Sequence, residues 1–123
     1  MNLKYIFKII DNDELKNAKS NGSYSGSSKD LKDGYMHFSS EDQVESTLKK
    51  HYLNKKNLIL LKVETLKLDH LVWEQVSDGN FFPHLYSALD LVNVVDEYEI
   101  NLNSDGTHKL PESFWVNLIL LNS

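Results

Sequence analysis

The stretch Asp33-Gly34-Tyr35-Met36-His37-Phe38-Ser39-Ser40 decides how this 123-residue chain is read. Gly34 marks a turn, and the apolar run after it carries a single histidine. Alternation predicts a strand over Tyr35 to Phe38, with Met36 and Phe38 on one face and Tyr35 and His37 on the other. Ser40, followed three residues later by Gln43, fits a capping box and predicts a helix over 41–53. A titratable ring is thus placed where a strand becomes a helix. A second stretch, Phe82-Pro83-His84-Leu85-Tyr86, repeats the theme of a histidine between bulky apolar residues. The two histidines are read as sharing one pocket.

Working outward, Leu3 to Ile10 has the length and composition of an interior strand, interrupted by Lys8. That lysine is either a snorkelling or edge-facing side chain or a cation at the mouth of a cleft. Asp11 to Ser20 carries helix-start residues, with Asn21-Gly22 as its stop. The Ser/Gly-rich segment 22–29 is a loop, either a plain connector or a flap over the site. In the helix over 41–53, Val44, Leu48, His51 and Tyr52 recur at helical spacing and form the inward stripe. Lys49, Lys50, Lys55 and Lys56 read as a solvated helix end rather than a phosphate site.

Asn57 to Val63 is an unbroken apolar run and the expected centre of the sheet. His70 to Val76 predicts a strand with Leu71, Trp73 and Gln75 on one side and His70, Val72, Glu74 and Val76 on the other. Ser77-Asp78-Gly79-Asn80 is a turn signal, and Pro83 pushes Phe82 into an extended conformation. Asp90 to Ile100 gives a further strand, acidic and edge-like over Asp96 to Glu99. Glu112 to Asn122 reads as a closing helix, with a strand as the alternative. No repeat or linker divides the chain, which is read as one α+β domain over residues 1–123.

Composition narrows the function. Hydrophobic residues make up 41% and charged residues 25%, within the range of a folded globular domain. The formal charge is -5, which argues against a nucleic-acid partner. All 13 basic residues are lysines, so an anion must be held without a guanidinium fork. There is no cysteine, which excludes thiolate nucleophiles and Cys-ligated zinc. The N-terminus lacks signal-peptide character and no apolar segment approaches the ~20 residues of a membrane span, so the cytoplasm is the expected compartment.

Five histidines are present. His51, among lysines, and His108, in a turn-rich tail, read as structural or solvent-facing, and His70, which begins a strand after Asp69, has no obvious role. His37 and His84 sit among large apolar residues beside hydroxyl-bearing partners, and with Glu74 they form the candidate catalytic set. An imidazole in such surroundings is suited to acid–base work. Glu74 in an apolar strand must be paired, protonated or at a wet edge. No HxH or HExxH pair supports a metal, no GxSxG marks a nucleophile elbow and no Gly-rich phosphate loop occurs.

The combined motifs Tyr5-Ile6-Phe7-Lys8-Ile9, Asp33 to Ser39 with Gln43, Asn57 to Val63, Leu71-Val72-Trp73-Glu74 and Phe82 to Tyr86 resemble the bacterial domain of unknown function 952 family. The resemblance covers roughly residues 3–112, with 113–123 as a C-terminal extension. Ser87-Ala88 stand where that family usually has Gly-Pro. Its members are similar to small relatives of the ADP-ribosyltransferase fold. The resemblance therefore implies a split, mostly antiparallel sheet with two or three helices around an NAD-binding cleft. Transferases of that fold use a His or Arg on an early strand, then a Tyr or Ser, then a glutamate. Lys8 stands at the first position, His37 and Ser39 are candidates for the second, and no glutamate is assigned to the third.

The resulting expectation is a His-lined cleft that binds or processes a nucleotide such as NAD or ADP-ribose. His37 and His84 would orient or protonate the ligand, and Lys8, Ser39, Gln43 and Tyr86 would bind it. Glu74 would stabilise an oxocarbenium-like centre. The alternative is a non-catalytic module that binds a small metabolite or a protein through the same cleft.

Overall fold

In the computed structural model the backbone is described for residues 3–121 and the side chains for residues 3–116. The first strand, β1 (Tyr5–Asp11), has Ile6, Lys8 and Ile10 on one face and Phe7 and Ile9 on the other, and all five are buried. Asp11 ends the strand and caps α1 (Asn12–Asn21), accepting hydrogen bonds from the N–H groups of Asp13 and Glu14. Gly22, with φ of 76°, closes that helix. A two-residue strand, β2 (Ser23–Tyr24), leads into α2 (Ser28–Asp33), and β3 (Met36–His37) follows. Ser40 and Gln43 form the predicted capping box, opening a 3-10 turn (Glu41–Gln43) that runs into α3 (Val44–His51).

The apolar run becomes β4 (Leu58–Glu64), and a hairpin follows, built from β5 (Leu71–Gln75) and β6 (Phe81–Leu85). The short β7 (Leu89–Asp90), the long β8 (Val94–Leu102), β9 (His108–Lys109) and α4 (Glu112–Leu121) complete the chain. The architecture is α+β with antiparallel pairing throughout the described strands.

Three sheets result, ordered β1-β4-β8-β9, β3-β6-β5 and β2-β7. As its unbroken apolar run implied, β4 lies between β1 and β8. Its Leu61 and Val63 enter one apolar cluster, with Ile6, Met36, Phe38 and Leu85. Leu58 and Leu60 enter the other, with Phe7, Val44, Leu48 and Tyr98. Phe114, at the start of α4, is buried in this second cluster, its ring edge-on to those of Phe7 and Tyr98. Full burial of each such side chain stabilises the fold by roughly 1.5–3 kcal/mol.

The segment Phe38-Ser39 splices the two larger sheets. Ser39 exchanges two backbone hydrogen bonds of 2.8 Å with Phe7, and the Phe38 N–H donates to the Pro83 carbonyl at 3.0 Å. Position 37 is therefore fixed from both sides, by the edge of β1 and by β6.

Three expectations need correction. The helices number four among the described residues rather than two or three. The segment 22–29 is not a plain loop. Ser23 and Tyr24 pair with Asp90 and Leu89, and Ser28 begins α2. His51 is exposed rather than part of the inward stripe, because α3 buries only Val44 and Leu48. The expected helix at the C-terminus forms, although the side chains of Leu118, Ile119, Leu121 and Asn122 lie outside those described.

Candidate functional site

Lys8 shares its strand face with Ile6 and Ile10, so its ammonium points into an apolar interior where an unpaired charge is untenable. Its partner is Asp30, and both side chains are only 3% exposed, with Lys8 Nζ 2.8 Å from Asp30 Oδ2. The sequence places Asp30 there through α2. Ser27 and Asp30 cap each other, with Ser27 N–H donating to Asp30 Oδ2 at 2.9 Å and Asp30 N–H to Ser27 Oγ at 3.1 Å. Gly26, with φ of 114°, lets the chain pass close by, since a Cβ there would lie 2.8 Å from the Cβ of Asp30. At the other end Gly34, with φ of 85°, closes the helix and turns the chain back towards Asp30.

The returning segment delivers His37 to the same carboxylate. The His37 N–H donates to Asp30 Oδ1 at 3.2 Å, and Nδ1 lies 2.5 Å from that oxygen. The His37 carbonyl accepts from Lys8 Nζ at 2.9 Å. Nε2 lies 3.0 Å from Asp33 Oδ2. Both ring nitrogens thus face carboxylate oxygens. Burial pushes the Asp30 carboxyl up, but the hydrogen bond from His37, the Lys8 charge and the capping bond outweigh it and hold it well below the usual range. Burial lowers the Lys8 ammonium, against the opposing pull of Asp30.

The second histidine is held differently. His37 and His84 are register partners across β3 and β6, with ring centroids 5.6 Å apart and edge-on. On the other side of β6, Val72 opposes His84 and Glu74 opposes Phe82. Alternation puts Glu74 on the same face as Val72 and hence as His84, and the diagonal brings its carboxylate within 2.9 Å of His84 Nδ1. The Tyr86 hydroxyl donates to the same Glu74 oxygen. Hydrogen bonds from Tyr86 and then His84 lower the Glu74 carboxyl, while the same bond pushes the Tyr86 phenol up to about 12. An ionised Glu74 accepts the Nδ1 proton, so neutral His84 presents a bare Nε2, for which no protein partner exists among the described residues. Tyr35 stacks on the His84 ring at 4.2 Å between centroids and also touches His37 and Tyr86.

Tyr35, His37 and His84 line a cleft of about 1180 Å³. Of the residues expected at the site, His37, Ser39, Gln43 and His84 line it. Ser39 is buried, its Oγ 3.1 Å from Thr47 Oγ1. Gln43 is held at both ends of its amide, accepting from Ser40 N–H at 3.0 Å and donating to the Phe81 carbonyl at 2.8 Å. Three residues stand elsewhere. Lys8 is sealed beneath the cleft by its ion pair instead of standing at the mouth, because its strand face is interior. Glu74 and Tyr86 lie outside the lining, where the Glu74 carboxylate holds His84 Nδ1 and accepts from the Tyr86 hydroxyl.

Sequence reasoning missed Asp30, Asp33 and Tyr35. The Ser27-x-x-Asp30 spacing is a capping-box signature and was the available signal for Asp30. Glu14 and Tyr24 also line the cleft, joined by a 2.8 Å hydrogen bond. Among the described residues no group of three or more His, Asp or Glu side chains is arranged to hold a metal ion, and no helix is long and apolar enough to cross a membrane.

Two structures of protein CC0527 from Caulobacter crescentus are similar to this chain. The crystal structure is 37% identical, with a TM-score of 0.84, covering 90% of this chain and 98% of that one. The solution NMR structure is 38% identical, with a TM-score of 0.75, covering 85% and 91% respectively. None of the curated proteins matches the chain. Residues 9–97 match the family described as "Protein of unknown function (DUF952)", a span that includes α2, both histidines and Glu74. With that match and those relatives, the chain belongs to the DUF952 family.

Proposed function

We propose that the cleft binds a nucleotide-like ligand of the NAD or ADP-ribose class and that His84 is its proton-accepting group. The observation that carries this reading is the Glu74–His84 pair, with Nδ1 held by a carboxylate and Nε2 left free beside a large cleft. A ring fixed in that tautomer is ready to take a proton from a ligand hydroxyl or a bound water. Tyr35, Tyr52 and Phe82 supply ring surfaces for a base or a ribose, and Ser27, Ser28 and Thr47 supply hydroxyls. The splice at Phe7 and Ser39, which joins two antiparallel sheets around the cleft, favours kinship with the ADP-ribosyltransferase fold. In a glycosidic cleavage, an incoming water oxygen would bond to the ribose C1′ and pass its proton to His84 Nε2. The nicotinamide would leave with the electron pair of the broken C–N bond.

Calorimetric titration of wild-type protein and His84→Ala with NAD and ADP-ribose tests the reading. Binding to wild type that is lost in the variant is expected, and no heat with either ligand overturns it. One observation favours the alternative, a binding module without turnover. Glu74 lies outside the cleft lining, so it does not supply a carboxylate to an oxocarbenium-like centre. Recovery of bound NAD chemically unchanged after prolonged incubation selects that alternative, and released nicotinamide rejects it.

A further inference from the structure

The wall of the cleft formed by the end of α3 and the turn after it carries three lysines, Lys50, Lys55 and Lys56. All three are exposed. The lysine ion pairs among the described residues are Lys8–Asp30, Lys19–Glu97 and Lys29–Asp33, and none involves these three. This departs from expectation in a chain of net charge -5.

Six carboxylates line the cleft too, and each accepts a hydrogen bond or lies in an ion pair. Asp42 accepts from the Ser40 hydroxyl, Asp78 from the Asn80 N–H, and Glu14 from the Tyr24 hydroxyl. Asp33 lies between Lys29 and His37, Asp30 between Lys8 and His37, and Asp11 caps α1. Burial, and then the positive charges of Lys50, Lys29 and His37, push the neighbouring His51 imidazole below its ordinary value. Of the four lysines that line the cleft, Lys29 is paired with Asp33, and Lys50, Lys55 and Lys56 are the three in no ion pair among the described residues.

The segment that bears the lysines is also fixed. Asn54 and Asn57 hold φ of 65°, a left-handed conformation that asparagine tolerates. The Asn54 N–H donates to the Gly106 carbonyl at 2.9 Å, the Lys55 carbonyl lies 2.6 Å from His108 Nε2, and the Asn57 carbonyl accepts from Asn12 N–H at 2.8 Å. Gly106 is needed for this packing, since a Cβ there would lie 2.3 Å from Asn54 Oδ1. Lys55 Nζ lies over the ring of Tyr52, itself a cleft residue, at 5.5 Å. The backbone of this segment is thus held from the turn between β8 and β9, from β9 and from α1.

We propose that Lys50, Lys55 and Lys56 form a diphosphate subsite, so that a ligand lies with its phosphates on this wall and its ribose towards His84. The assignment rests on the nucleotide reading above and adds to it the place where the pyrophosphate of NAD or ADP-ribose would lie. In a chain without arginine, lysines acting as point charges are the available cationic partners for such a group.

The test titrates the full chain calorimetrically with inorganic pyrophosphate, adenosine and ADP-ribose at low salt. Wild type is compared with a triple variant, Lys50→Gln/Lys55→Gln/Lys56→Gln, whose fold is checked by thermal melting. The expected result is that ADP-ribose binds more tightly than adenosine and weakens with added salt. The triple variant should lose about tenfold in affinity for ADP-ribose and for pyrophosphate, as expected for three exposed charge contacts. Equal affinity of ADP-ribose for both proteins overturns the subsite and leaves the nucleotide reading standing. Pyrophosphate binding that the triple variant loses, with ADP-ribose binding no tighter than pyrophosphate, supports the subsite and removes the nucleotide reading. No binding of pyrophosphate by wild type overturns the subsite.

Discussion

The two histidines of this protein share a sheet face and a cleft, yet their surroundings give them different work. His37 has a carboxylate at each ring nitrogen, and its backbone carbonyl helps to hold Lys8. His84 has a carboxylate at one nitrogen only, and the other is free. The first is bound into a buried charge cluster that joins β1, α2 and β3. The second is oriented but uncommitted. A histidine beside a carboxylate is therefore no sign of catalysis by itself, and the count of engaged nitrogens is the better guide. The two environments should respond differently to substitution, and that difference makes the comparison breakable.

The largest effect should come from Asp30→Asn. It leaves Lys8 buried without a counter-charge and disturbs the bonds from Ser27 and His37. Loss of one partner from a buried pair is expected to destabilise the fold by about 3–5 kcal/mol. Equilibrium denaturation measures it, and a change below about 1 kcal/mol would mean that the cluster is not structural.

Acid should reach the same group. The folded Asp30 carboxyl titrates below its unfolded value, so its contribution is fully present above about pH 4 and is lost as pH falls towards the folded value. Wild type should lose stability below about pH 4 more steeply than Asp30→Asn. Parallel pH profiles for the two proteins would contradict this.

His37→Ala should come next, destabilising by about 1–3 kcal/mol because buried Asp30 loses the ring Nδ1 partner while keeping the backbone N–H. His84→Ala should cost less, about 1 kcal/mol, since the carboxylate it abandons is at the surface. Thermal and denaturant unfolding of the two variants side by side would break the comparison if their order were reversed. Smallest in stability is Glu74→Gln, for which the unfolding midpoint should not move measurably. Its effect belongs to the ring. Without the ionised acceptor the Nδ1–H form of His84 loses its preference, and ligand affinity should fall while the fold is unchanged.

Much of this was legible in the sequence wherever apolar periodicity or capping chemistry set the structure. The alternation in His70 to Val76 put Glu74 on the same face as Val72, which the register sets opposite His84, and the Ser40–Gln43 box and the central β4 formed as read. The inner cluster was not legible because it inverts the usual rule. In α2 the buried residue is Asp30, while Leu31, its one apolar residue, is 66% exposed. A six-residue helix that turns a carboxylate inwards has no hydrophobic stripe to find. It makes sense only once Lys8 and His37, distant in sequence, are known to meet it. For the same reason Lys8 looked like a surface residue that interrupted an apolar run, when it was half of an ion pair. The lysines after α3 likewise gained meaning only from the cleft beside them.

The central claim is that His84, and not His37, offers a free ring nitrogen to the ligand. Long-range 1H–15N correlation spectra of the histidine rings, recorded before and after addition of ADP-ribose, address it most directly. The account predicts that neutral His84 carries its proton on Nδ1, and that its Nε2 resonance moves on addition of ADP-ribose while the His37 nitrogens stay in place. A His84 ring protonated on Nε2, or ADP-ribose moving His37 and leaving His84 unchanged, would contradict it.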